Sequence, residues 1–296
     1  MNARLAGRES RAAAAFLAPA LGLFGVFFVI PVVAGFLLSL TDFDIYAIGD
    51  PGTARFVGLS NYLQLLRDPG FWQVLGNTLY FAVVGGPLTI AVSLGAALFL
   101  SARLVRWRGL FRTVYFAPVV TTLVAVAVVW RYVYHPRYGL LNHGLGLVGI
   151  DPIDWLGDPR WSMPAIILLA VWKNFGYNML IFTAGLQTIP EELYEAATMD
   201  GAGAWRRFVH VTLPGLAPTF LFVAVTTLIG FLQLFAEPYV MTQGGPLGST
   251  RSLLLLMYEE GFRWWRMGLA SAIAFLLLLI TLGATLLQLR LLRTRP

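Results

Sequence analysis

The chain has 296 residues, of which 58% are hydrophobic and only 12% charged, with a formal net charge of +6 at pH 7. An ordinary soluble domain carries about 25% charged residues, so lipid must be the solvent for most of this one. Disorder is excluded by 21 Phe, 11 Tyr and 9 Trp on so lightly charged a chain, and the absence of cysteine removes disulfides, thiolate metal sites and thiol nucleophiles together.

Only helices or closed barrels cross hydrocarbon, because each backbone N–H and C=O there needs a partner inside the protein. The apolar runs are long rather than short and alternating, which predicts an all-α polytopic membrane protein, a single domain over 1–296 with six transmembrane helices. The first covers 13–40, with Pro19 and Pro31 expected to kink it, and is read as an uncleaved span because its apolar stretch is too long for a signal peptide. The second covers 78–101 and the third 111–133. The fourth, 163–187, holds one charge, Lys173, which either snorkels to the outer interface or serves a function at depth. A loop over 188–214 separates it from the fifth span, 215–237, and the sixth, 267–289.

Basic residues set the direction, since cytoplasmic loops retain Lys and Arg. Both termini, the loop after span two and the loop after span four hold twelve arginines, among them Arg4, Arg8, Arg11, Arg103, Arg206, Arg207, Arg293 and Arg295. The other side holds eight, outnumbered there by ten carboxylates. Both termini are therefore expected in the cytoplasm. The positive-inside bias also accounts for the high isoelectric point, so no nucleic-acid partner is inferred.

The 188–214 loop carries the most information. Thr188 and Glu191 have capping-box spacing, Pro190 is expected in a first helical turn, and Glu191, Glu192 and Glu195 suit the positive end of a helix dipole. Asp200-Gly201 should end that helix through a left-handed glycine, with a second short helix over Ala202 to Val211. Leu193, Ala196, Ala197 and Met199 offer small or apolar contacts beside the glutamates. Acidic helices sit poorly on an anionic leaflet, so the expected partner of this surface is a protein.

Several chemistries are missing. There is no G-x-x-x-x-G-K-[ST] phosphate loop, so this chain should not hydrolyse ATP by itself. His135, His143 and His210 are scattered and make no zinc set without cysteine. The run from Gly144 to Gly149 matches G-x-G-x-x-G but lies in an external loop between spans, where loop glycines explain it better than a dinucleotide site.

The spaced residues Glu195-Ala196-Ala197, Asp200-Gly201-Ala202, Phe208, Val211, Leu213-Pro214 and Pro218 closely resemble the EAA loop of permease subunits in binding-protein-dependent ABC importers. Phe56-Val57-Gly58-Leu59-Ser60-Asn61-Tyr62, Asn77-Thr78-Leu79 and Gly244-Gly245-Pro246 resemble its carbohydrate branch, the maltose and glycerol-3-phosphate type. The resemblance implies a type I ABC importer permease fold in a bacterial or archaeal cytoplasmic (inner) membrane. It also implies a heterodimer with a second permease subunit, a cytoplasmic ABC ATPase dimer, and an extracytoplasmic solute-binding protein that delivers a sugar. This chain would bind no cofactor, ATP and Mg being used by the partner ATPase. The ATPase-coupling residues would be Glu191, Glu195, Ala196, Ala197, Asp200 and Gly201.

A path for sugar would be built from the spans flanking that loop. Trp172, Asn174, Tyr177 and Asn178 of span four, with Gln233 and Glu237 of span five, offer aromatic faces and hydroxyl-binding groups suited to carbohydrate. A polyol or glycerophosphodiester would use the same machinery. An ion-coupled secondary carrier is the more distant alternative, and it would normally bring coupling-ion carboxylates that this sequence lacks.

Overall fold

A computed structural model describes residues 2–102 and 106–292, so Arg103, Arg293 and Arg295 of the basic side lie outside the described residues. In chain order the principal helices begin with α1 (Ala13–Ser39), α2 (Pro69–Ser101) and the bent pair α3 (Arg108–Val120) and α4 (Leu123–Val133). They continue with α5 (Pro159–Gln187), the short α6 (Glu191–Met199), α7 (Ala217–Leu232), α8 (Ala236–Met241) and α9 (Met267–Leu291). Counting α7 with α8, five helices among the described residues are long and apolar enough to cross a membrane, and α3 with α4 makes a sixth if the pair is one span. Among the described residues there is no strand, only an antiparallel bridge between Thr41 and Phe56.

Aspartate and proline set two of the helix starts earlier than hydropathy alone suggests. Asp68 accepts from Gly70 N–H with Pro69 at the head of α2, so this helix begins at Pro69 and not at 78. Asp158 does the same for Arg160 N–H ahead of Pro159, and α5 begins there instead of at 163. In each case the carboxylate satisfies an orphan donor and the proline occupies a position whose N–H would have no partner.

Three other prolines are met by local widening. Wide five-residue turns at Gly25–Val29, Phe81–Gly85 and Phe208–Thr212 lie just before Pro31, Pro87 and Pro214. A proline lacks its N–H and its ring crowds the carbonyl one turn back, and a wider turn relieves both problems without ending the helix. At Pro31, where a kink is expected from sequence, α1 continues through such a turn.

The third span departs most from expectation. Sequence predicts one helix over 111–133, but α3 and α4 meet at 101° across an extended link at Thr121 and Thr122. Pro118 removes one helical donor, and the Thr121 hydroxyl turns back to donate to Pro118 O at 2.6 Å. Span five is also interrupted, between Leu232 and Ala236. The Gly144–Gly149 stretch, expected as loop, contains the second half of a short helix, Leu140–Leu147.

The structure divides into two compact units, Met1–Arg67 with Met257–Leu276, and Asp68–Leu256 with Leu277–Pro296. In the first unit Asn61 donates to Ser39 O at 2.9 Å and Thr41 O at 2.8 Å, covering the carbonyls at the end of α1. Gly268 N–H reaches Phe43 O, and a Cβ at Gly268 would lie 2.1 Å from Thr41 O, so only glycine lets α9 approach that segment. The second unit is organised around α5. Its Ile166, Leu169 and Ala170 pack with Phe81 of α2, Val126 and Ala127 of α4, and Phe231 and Leu232 of α7. Tyr134, just past α4, is buried and donates to Ala165 O at 2.6 Å; burial pushes its phenol pKa above the usual tyrosine range, so it remains a donor.

At Gly176 the backbones of α5 and α3 touch, and an added Cβ would stand 2.0 Å from Tyr115 O. Gly176→Ala is expected to destabilise the protein by about 1–3 kcal/mol through overpacking, read as a lower Tm of the detergent-purified chain, whereas Gly95→Ala on an open face should be neutral or stabilising.

Candidate functional site: a cavity between spans and a surface helix

The two interrupted spans open onto one space. A cavity of about 410 Å³ is lined by Asn174, Tyr177 and Asn178 of α5, Thr226 and Thr227 of α7, Gln233 at its broken end and Glu237 of α8. Such a volume lies within the range of small-molecule sites. Phe81 and Phe231, stacked with ring centroids 4.8 Å apart, form an apolar part of the wall, and Val119 and Leu123 enter from either side of the α3–α4 break. Non-helical backbone at membrane depth is tolerated where it is buried in protein or borders water, which is consistent with a wet cavity.

The polar groups of the cavity differ in how far they are committed. Asn178 is buried and donates to the Thr227 hydroxyl at 2.9 Å, tying α5 to α7. Asn174 donates to Ala170 O of its own helix at 2.8 Å, which leaves its amide oxygen for a ligand. Tyr177 and Gln233 are exposed to the cavity. These side chains can donate to and accept from hydroxyl groups, and the aromatic rings can lie against C–H faces. Trp172 is not among them, since its ring packs on Trp130 at 5.3 Å between centroids. Thr226 and Thr227 were not singled out from sequence, because threonine in an apolar run reads as helix filler.

Lys173 does not snorkel. It is 9% exposed, and its Nζ donates to Pro118 O and Thr121 O, each at 2.9 Å, across the break between α3 and α4.

The second candidate surface is α6. Thr188 is not its cap: its hydroxyl donates to Gly185 O and closes α5, while Pro190 stands at the N-cap of α6 and not in its first turn. The C-terminus is closed as expected. Gly201 takes φ +71°, its N–H donates to Thr198 O, and Ala202 N–H donates to Ala197 O, the paired bonds of a Schellman motif. The following helical segment is Ala204–Arg207 continued by the wide turn Phe208–Thr212, which replaces the expected helix over Ala202 to Val211.

From behind, α6 is held by Tyr194 OH against the Thr212 hydroxyl at 3.0 Å and by Arg207 donating to the Thr198 hydroxyl at 3.2 Å. Outward it presents Glu191, Glu195, Ala196, Asp200 and Gly201, all exposed, with Ala197 half-buried. Met199, at 88% exposure, and Trp205, at 74%, add large apolar surface beside them. A surface of this kind fits another protein.

Comparison with known proteins identifies this architecture. The family described as binding-protein-dependent transport system inner membrane component matches residues 89–294. The chain belongs to this family. The permease is 38% identical to the lactose transport system permease LacF of Rhizobium radiobacter over 278 residues, covering 92% of this chain and 91% of that one. It is 35% identical to the trehalose/maltose permease MalF of Thermococcus litoralis, covering 100% and 98%, and 35% identical to the arabinooligosaccharide permease AraP of Bacillus subtilis, covering 93% and 87%.

Its fold matches a crystal structure of a bacterial ABC transporter that imports the acidic polysaccharide alginate, with a TM-score of 0.80 over 98% of both chains at 23% identity. A further structure of the alginate transporter, in complex with an alginate pentasaccharide-bound periplasmic protein, matches with a TM-score of 0.78 over 95% of this chain and 93% of that one, at 22% identity. The permease is accordingly an ABC transport subunit without catalytic activity of its own.

The Asn178–Thr227 bond offers a direct check on the cavity. A double-mutant cycle of Asn178→Leu and Thr227→Val is expected to return a coupling energy of about 0.6 kcal/mol, up to roughly 1.7, from thermal unfolding of the purified permease. A coupling near zero would mean that the two helices are not joined at this pair.

Proposed function

We propose that the permease forms one side of the translocation path of an ATP-driven sugar importer. Sugar is delivered by an extracytoplasmic binding protein, passes through the cavity between α5 and α7–α8, and is released to the cytoplasm. The observation that carries this reading is the cavity itself, which gathers Asn174, Tyr177, Asn178, Gln233 and Glu237 against the aromatic rings of Phe81 and Phe231. The amides and hydroxyls among these groups, set beside aromatic faces, suit a hydroxyl-rich solute. The names of LacF, AraP and MalF, all oligosaccharide transport permeases, support the same solute class.

In this reading both termini are cytoplasmic, the permease pairs with a second, similar permease, and α6 seats on a separate ATPase that binds ATP and its Mg. Glu191, Glu195, Ala196, Ala197, Asp200 and Gly201 form the coupling surface. The exposed face of α6, with the exposed Met199 and Trp205, supports this role.

Two experiments test the proposal. Purification of the tagged permease from its native membranes after crosslinking should recover an ATPase with a phosphate loop and a second polytopic permease; recovery of the chain alone would favour an ion-coupled carrier. Gly201→Val forces a β-branched residue into a left-handed conformation at a cost of about 1–2 kcal/mol or more. It should abolish sugar-stimulated ATP hydrolysis while the permease still reaches the membrane in normal amount, and retention of full coupling would remove α6 from the mechanism.

A further inference from the structure

The geometry points to Lys173 as a positioning residue of the translocation path: its ammonium holds the broken third span in place, and thereby sets where Val119 and Leu123 stand in the cavity wall. The link at Thr121 and Thr122 is extended, so carbonyls at the end of α3 have no helical partner. In hydrocarbon an orphan carbonyl is costly, and so is an unpaired ammonium. Here the ammonium finds its partners in these carbonyls: it joins the Thr121 hydroxyl on Pro118 O and is the side-chain donor to Thr121 O. Nζ donates to Pro118 O on the α3 side and to Thr121 O in the link, both at 2.9 Å.

Lysine suits this task because its compact head carries three donors and no acceptor, so one side chain can serve two carbonyls. Its backbone is fixed as well, since one turn further along α5 Gly176 is pressed against Tyr115 O. Asn174, the next residue after Lys173, lines the cavity, as do Val119 and Leu123 flanking the link. The lysine therefore ties the wall contributed by the third span to the wall contributed by α5. The inference needs only the cavity and the break, and holds for any solute.

The test uses the full-length chain in native membranes and exploits its lack of cysteine. A single thiol is introduced as Val119→Cys or Leu123→Cys, and its rate of reaction with a water-soluble maleimide is measured with Lys173, Lys173→Met or Lys173→Arg behind it. Methionine removes both charge-assisted bonds, and the labelling rate is expected to change by about tenfold, whereas arginine should keep it within roughly twofold. A control thiol at Leu147, exposed on the short helix Leu140–Leu147 away from the cavity and from α6, should label at one rate in all three backgrounds.

Equal rates for lysine and methionine at both cavity positions would overturn the proposal. So would a parallel change at Leu147→Cys, which would show a general loss of structure instead of a displaced wall. Should Lys173→Met fail to accumulate, Lys173→Gln, whose shorter, uncharged amide makes weaker bonds to these carbonyls, is expected to give an intermediate rate, and a rate equal to that of lysine again overturns it.

Discussion

A peptide carbonyl that leaves its helix inside a membrane has to be met by another group of the protein, and the placement of polar residues in this permease follows from that requirement. Lys173 meets the carbonyls at the end of α3. The hydroxyl of Ser252 meets Leu234 O where span five is interrupted, and Asn77 donates to Gly248 O and Arg251 O in the loop that follows. Asn61 does the same for the end of α1. At each of these places a side chain from a different helix or loop supplies a donor, so the irregularity is also a point of attachment.

This explains why the cavity lies where it does. Regular helices pack their side chains together and leave little room, while a helix that bends by 101° or stops and restarts pulls its backbone away from its neighbours. The α3–α4 link and the Gln233–Phe235 interruption flank the same space, and the polar atoms that line it come largely from residues around those interruptions and from the facing stretch of α5. The resulting site is amphipathic in the way a sugar is. Stacked phenyl rings stand beside amides and hydroxyls, and the lysine nearest to them is engaged by backbone.

Much of this was legible in the sequence, for identifiable reasons. Gly201 could be read as a left-handed helix stop because so few residues accept that conformation, and it takes φ +71°. Asn174, Tyr177, Asn178, Gln233 and Glu237 stood out as polar or aromatic groups in apolar runs, and the fold brings them to one cavity. Trp172 shared the same pattern yet turns to Trp130, because neighbouring positions on a helix point in different directions and only packing decides which faces the opening. The break at Thr121 was hidden for another reason. Averaged hydropathy stays high across it, and its hints, Pro118 and two consecutive threonines, are each compatible with an intact membrane helix. Thr188 misled because a hydroxyl between two helices can close the one before or cap the one after.

The wide turns ahead of Pro31, Pro87 and Pro214 carry a further meaning. Each accommodates one residue more than a regular turn, and one residue corresponds to about 100° of rotation around a helix axis. The turn thus works as a phase shifter: the stripe of side chains that faces inward before it is offset from the stripe after it. Evolution can therefore re-aim half of a span by gaining or losing one residue there, without redesigning either half. Length differences of a single residue among homologous permeases should gather at these three places, and they would mark changes of facing rather than changes of span.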